Sequence, residues 1–245
     1  MKHAEILIVG DEILDGNIAD TNSTYVSQEL LRVGIRTVRK VVVGDDKKEI
    51  ALNLSQALER KPDYLFILGG IGVTPDDVTK EAVAEFFGRP MTIDKNALVW
   101  VEGVYRTMAN RPASEIEKRY AEIFEGSEAI PNPVGIACGV YYRADKTEIF
   151  VLPGVPREVK AMLGQLLKGK IAAGEPLHSG EIKIFGFESD YVPLYEKIAK
   201  LGVKLGSYPQ EKSRVILVRL ESPSREKLEI ALSLIKQGAT LHREE

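Results

Sequence analysis

"DYLFILGGIGVTPDDVTKEAVAEFFG", residues 63–88, carries three patterns in one segment. Tyr64 to Leu68 form a short, continuous apolar run, as expected of a strand buried on both faces of a parallel sheet. Residues 75–87 follow with apolar side chains at helical spacing. Between them lie three glycines and two adjacent aspartates. Strand, glycine turn and helix in that order form the repeating unit of a parallel sheet covered by helices. Thr74-Pro75-Asp76-Asp77 also has what a helix start needs: an N-cap threonine, a proline in the first turn and a capping-box acid at Asp77. Structural cap and ligand loop are therefore both open readings of this turn.

The same alternation runs outward in both directions. AEILIVG (4–10), TVRKVVV (37–43) and EIFVLPG (148–154) read as further strands. Residues 23–33, 47–60 and 155–167 read as amphipathic helices, and 94–125 as helical. GVYYRA (139–144) is expected to pair with 148–152 as a hairpin across Asp145 and Lys146. The fold class is therefore α/β, a three-layer, mostly parallel sheet, over residues 1–172. AAGEPLHSG (172–180) has no period and marks a boundary. Beyond it, 176–245 reads β-α-β-β-α, a small α+β domain. That domain buries too little surface to be comfortable without docking on the first domain or on a neighbouring subunit.

Composition narrows the function. The chain has 245 residues and a formal net charge of −3, with no basic footprint for nucleic acid and no polybasic membrane patch. No apolar run reaches the roughly 18 residues that would span a bilayer. The start, MKHAEILIVGDE, is too short in apolar residues for a signal-peptide core, so a cytoplasmic location is expected. Cys138 is alone, which excludes an internal disulfide, and reads as a small buried hydrophobe. His3, His178 and His242 have no zinc-ligand spacing. Any metal should have oxygen ligands.

Ligands of open parallel sheets bind beyond the carboxyl ends of the strands. Three loops leave strands directly and are expected to converge there: Gly10-Asp11-Glu12, Gly69 to Asp77, and Pro153-Gly154. Gly69, Gly70 and Gly72 allow backbone amides to approach a phosphate, and the following helix start adds partial positive charge. The pattern is neither a Walker A loop nor a Rossmann fingerprint. Asp76 and Asp77, with Asp11 and Glu12, would repel an anion unless a cation sat between them. Mg²⁺ held by one or two carboxylates plus ligand phosphates resolves the conflict, with Mn²⁺ or Co²⁺ as alternatives. Asp11, Asp76 and Asp77 are the expected metal ligands, and these three with Glu12 the expected catalytic acids. Thr74, Lys80, Asn22, Gly135 and Gly154 complete the expected ligand-binding set. Lys80 and Arg157, one turn into their helices, are either phosphate contacts or solvated charges. Trp100 and the pair Tyr141-Tyr142 read as packing residues rather than ring-stacking ones.

"IVGDEILDGNIADTNSTYVSQELLRVG", "VVVGDDKKEIALNLSQALER", "GGIGVTPDDVTKEAVAEFFG" and "VLPGVPREVKAML" together resemble the CinA family, part of the wider molybdopterin-binding group with MoaB, MogA and gephyrin-type domains. "KLGSYPQEKSRVILVRLESPSREKLEIALSLI" is similar to the small domain that follows in CinA-type chains. The resemblance implies a MoaB/Mog-like fold that binds a nucleotide or pterin. Asp77 matches an acid that Mog-type enzymes need for adenylylation or metal handling. For CinA-type proteins it implies metal-dependent hydrolysis of ADP-ribose-like pyrophosphates; a similar domain in eukaryotic FAD synthases is linked to FAD hydrolysis. The alternatives are a molybdopterin-binding or adenylylating protein of molybdenum cofactor biosynthesis, or a nucleotide-binding module without turnover. A homo-oligomer with a small-molecule ligand is expected. The chain departs from the family where Val73 replaces a proline and where "GIACG" (135–139) replaces Gly-Thr-Ala-Pro-Gly. No amidase domain follows in this sequence, so nicotinamide-nucleotide deamidation is not implied.

Overall fold

The computed structural model describes residues 1–210 and 213–241; His242 lies outside them. The chain divides into two compact units, Met1–Gly174 and Glu175–Glu245. In the first, the order is β1 (Lys2–Val9), α1 (Asp11–Leu14), α2 (Asn22–Arg32), β2 (Ile35–Val43), α3 (Lys47–Arg60), β3 (Tyr64–Leu68) and α4 (Thr79–Phe86). There follow β4 (Met91–Ile93), α5 (Lys95–Ala109), α6 (Glu115–Lys118), β5 (Glu122–Phe124), β6 (Glu128–Ile130), β7 (Gly139–Ala144), β8 (Thr147–Leu152) and α7 (Pro156–Gly169).

The main sheet has the order β2-β1-β3-β8-β7-β6. Its first four strands are parallel, and β7 and β6 run antiparallel as the expected hairpin and its extension. Alternate side chains of each strand enter different cores, as the period-2 geometry of a strand requires. Leu7, Val9, Leu65, Ile67, Ile149 and Val151 meet Ile50 and Leu54 of α3 and Val83 of α4. Ile6, Ile8, Phe66, Leu68, Phe150 and Leu152 meet Val26 and Leu30 of α2 and Val159, Met162 and Leu163 of α7. Two helix layers thus sandwich the sheet. This is the three-layer class expected from the apolar runs.

Two expectations fail locally. Residues 75–87 are not one helix. The Thr79 amide donates to Gly70 O at 3.0 Å, so the chain loops back before α4 begins. Thr74 to Asp77 form a separate turn, and Val78 is the N-cap, with no side-chain cap. Residues 94–125 are also broken. α5 is capped by Asp94 and stops at Asn110, which adopts a left-handed φ of 52°. Pro112 has no amide to continue it. Ser114 and Glu117 then open α6 with a capping box, and β5 pairs with β4 in a two-stranded ribbon that the sequence reading missed.

The second unit contains β9 (His178–Phe185), α8 (Glu188–Lys200), β10 (Lys204–Pro209), β11 (Val215–Ser222) and α9 (Arg225–Leu241). Its antiparallel sheet has the order β10-β11-β9. Ile184, Ile216, Val218 and Leu220 from the sheet, Ile198 from α8 and Leu228 and Ile235 from α9 make a core of its own.

Candidate functional site

The parallel register aligns the ends of four strands: Val9 pairs with Val43, Ile8 with Leu68, and Leu68 with Leu152. The residues that follow these ends share a cavity of about 660 Å³. That volume lies within the range of small-molecule sites, roughly 300–1,000 Å³. Glu12, Asp76 and Asp77 contribute carboxylates to its wall. Gly69, Gly70 and Gly72 line it, as do Asn22, Gly135, Gly154 and Arg157. The convergence expected from topology is present.

The glycine turn is held in a shape that other residues cannot take. Gly69 has φ 108° and Gly70 φ 63°, and a Cβ on Gly69 would overlap the Val9 carbonyl oxygen. Across the cavity, Asn22 Nδ2 donates to Gly154 O at 2.6 Å, tying the start of α2 to the loop before α7. Thr74 donates from its amide to Asp77 Oδ2 at 3.0 Å and from its hydroxyl to the same oxygen. Thr74 is therefore a positioning residue for Asp77 and does not itself reach the cavity wall. The Thr74 hydroxyl, shared with Asp77, is also the main cause that holds the neighbouring Asp76 carboxyl below its ordinary pKa.

Besides Thr74, two of the sequence-derived site residues lie off the cavity wall. Asp11 does not line the cavity; its amide donates to Asp45 Oδ2 at 2.9 Å and its Oδ1 accepts from the Asp45 amide at 3.3 Å. Its place in the wall is taken by Asp45, at the end of β2. "VVVGDD" did contain the signal, a Gly-Asp immediately after a strand, as in Gly10-Asp11. Lys80 is neither a phosphate contact nor a solvated charge. It is buried, with Nζ 3.5 Å from Tyr120 O and 3.9 Å from Cys138 Sγ, and desolvation lowers its pKa. Burial pushes the Cys138 thiol up, which agrees with an inert core cysteine. Trp100 is not core either: it is 45% exposed on α5, and its Nε1 donates to Gly135 O at 3.1 Å. Tyr141 and Tyr142 do pack, against Phe150 and against Phe87 and Phe124.

Asp45 shows the electrostatic character of the site. Burial raises its pKa most. The Asp11 amide opposes this, and the charges of Asp11, Glu12 and Asp76 add to the rise. Among the described residues, no three of His, Cys, Asp and Glu converge closely enough to hold a metal by themselves. This oxygen-only set suits a cation that takes one or two carboxylates and fills its remaining positions with water and ligand phosphate. A cation bound there would draw on one or two of the wall carboxylates of Asp45, Asp76 and Glu12.

Residues 5–173 match the family model described as "Probable molybdopterin binding domain". The chain belongs to that family. Within it the protein is CinA-like. It is 34% identical to the protein CinA "with unknown function" from Thermoplasma acidophilum, whose crystal structure superposes with a TM-score of 0.64 over 69% of this chain and 98% of that one. The CinA-like chain is also 32% identical over 248 residues to Protein PF0476 of Pyrococcus furiosus, with 98% of each chain covered. A "Putative competence-damage inducible protein" of Pediococcus pentosaceus matches at 32% identity over 203 residues, which is 81% of this chain and 49% of that protein. The CinA-like chain thus spans about half the length of that relative. Among its described residues, no helix is long and apolar enough to cross a membrane.

Proposed function

We propose that this CinA-like protein is a divalent-cation-dependent pyrophosphohydrolase acting on ADP-ribose or a related dinucleotide. One observation carries the reading: the carboxylates of Glu12, Asp45, Asp76 and Asp77 share a single cavity with the Gly69–Gly72 turn. A glycine turn that shares its cavity with several acids is poorly made for a bare phosphate and well made for a phosphate with its cation. The cation would supply charge neutralisation and an acidified water. The Gly69–Gly72 turn offers backbone that a pyrophosphate can approach closely. In this reading Asp77, which Thr74 holds, accepts a proton from the attacking water. Asp11 acts by holding Asp45. Asn22 closes the opposite wall through Gly154.

A second reading is binding, or adenylyl transfer in molybdenum cofactor synthesis, without hydrolysis. It is favoured by the lack of a preassembled three-ligand metal group among the described residues and by Ile136 in the cavity wall, where the family carries a hydroxyl. One screen separates them. ADP-ribose, FAD, NAD and ATP are incubated with Mg²⁺, Mn²⁺ or Co²⁺ and AMP release is followed. Cation-dependent AMP release from ADP-ribose or FAD supports hydrolysis; tight binding with no AMP under any cation supports the second reading. Self-association belongs to the same proposal and is read by sedimentation equilibrium.

A further inference from the structure

Glu158, in the first turn of α7, is 9% exposed and yet forms part of the cavity wall. Among the described residues no cation pairs with it, and its side chain has one hydrogen-bond donor, Asn132, whose Nδ2 lies 2.8 Å from Oε2. A buried carboxylate with so little compensation is costly unless a further donor reaches it. The orientation of Asn132 is fixed by the backbone. Its Nδ2 also donates to Ala137 O at 3.0 Å, and its Oδ1 accepts from the Val134 amide at 3.4 Å. Asn132, itself 2% exposed, therefore presents N–H and not C=O to Glu158. Gly135 is required beside it, since a Cβ there would overlap the Glu158 carboxyl.

We propose that Glu158 is a specificity residue that accepts a hydrogen bond from a sugar hydroxyl of the bound nucleotide, with Asn132 as its positioning residue. The inference rests on the nucleotide reading of this cavity. Two chemistries could supply a donor, a ribose hydroxyl or the N–H edge of a pterin. A fork of two N–H groups would have to share Oε2 with Asn132, whose bond already fixes that oxygen. A hydroxyl needs only the other oxygen. Glu158 thus makes the site select ribonucleotides over deoxyribonucleotides.

The test is calorimetric binding in the presence of Mg²⁺; AMP has no pyrophosphate bond to cleave, so no turnover intervenes. AMP, 2′-deoxyAMP, 3′-deoxyAMP and 6-methylpterin are titrated into the intact wild-type protein, which requires no variant to fold. AMP should bind about 10- to 100-fold more tightly than one of the two deoxy compounds, the usual worth of a hydrogen bond to a charged group. In Glu158→Gln the carbonyl of the new amide must face the fixed Asn132 N–H, leaving an NH₂ donor where the acceptor was. The hydroxyl can at best accept from that NH₂, a neutral bond in place of a charge-assisted one, so the AMP preference should fall several-fold while the weaker deoxy compound binds as before. Equal wild-type affinity for AMP and both deoxy compounds overturns the inference and leaves the nucleotide reading standing. Binding of 6-methylpterin that Glu158→Gln abolishes, with AMP selectivity unchanged, assigns the carboxylate to a pterin edge and also overturns it. No binding of any nucleotide removes both.

Discussion

Burial raises the Asp45 carboxyl above its ordinary pKa, and the charges of Asp11, Glu12 and Asp76 push in the same direction. In the unfolded chain the group ionises near its ordinary value; in the folded chain it keeps its proton to higher pH. The penalty is absent below the unfolded pKa, grows as pH rises through the interval between the two values, and is complete above the folded one. Asp45→Asn should accordingly raise the melting temperature at pH 7.5 in chelator, by about 2–4 °C after allowing for solvent screening. At pH 3.5 the gain should vanish. A melting temperature that falls at pH 7.5 would mean that the charge of Asp45 is structurally needed. Asp77→Asn should behave differently. Asparagine keeps an oxygen for the two Thr74 donors, so stability should change by about 1 kcal/mol or less. If Asp77 is the proton acceptor or a cation ligand, ADP-ribose hydrolysis should fall at least about 100-fold. Hydrolysis at the wild-type rate would leave Asp77 as a turn residue. The acids of the glycine turn were legible from the sequence because they are adjacent to it. Glu158 and Asn132 were not, because their meaning comes from a contact across 26 positions of chain.

Among the elements, those with a strong apolar period were readable and those set by chain reversal were not. β1, β3 and β8 are continuous apolar runs because both faces are covered, and α3 shows one apolar side because one side is covered. The start of α4 was obscured because Thr74-Pro75-Asp76-Asp77 has the chemistry of a helix cap but closes on itself, while Gly70 O takes the Thr79 amide. β4 and β5 span three residues each, too few to show a period. The glycine turn offers the sharper test. Gly69→Ala places a methyl against a backbone oxygen at φ 108°, where no side-chain motion can relieve it. It should destabilise by at least about 1–3 kcal/mol and weaken any phosphate ligand with it. Gly164→Ala is the control. This glycine lies within α7 with nothing within 4 Å of the added Cβ, so the change should stabilise by roughly 0.5–1 kcal/mol. Urea unfolding of both variants would show the opposite signs; equal effects would mean that the turn is not under the stated constraint.

At the scale of the whole molecule, the loss of pattern at AAGEPLHSG marked a division that falls between Gly174 and Glu175. It could be read because a linker needs no apolar face. How stable each side is cannot be read from the same feature. The first unit has two large cores, one on each face of its sheet, and a small third cluster around Val101, Ala113 and Ala121. Among its described residues, the second has a single core built from one face of a three-stranded sheet and two helices. Domains of roughly 60–70 residues bury only about 60% of the surface their unfolded chains expose, and a single core of that size rarely gives more than about 3–5 kcal/mol. Residues 175–245, expressed alone, should therefore unfold at low urea with a shallow transition. Residues 1–174 alone should retain a steep one, because m scales with the surface exposed on unfolding. Circular dichroism at 222 nm through a urea series, on both fragments and on the intact chain, measures this. If the 175–245 fragment unfolds as a monomer at the same midpoint as in the intact chain, its core is sufficient and the need for docking inferred from its size is wrong. If its midpoint is lower than in the intact chain, contacts outside its own core contribute the difference.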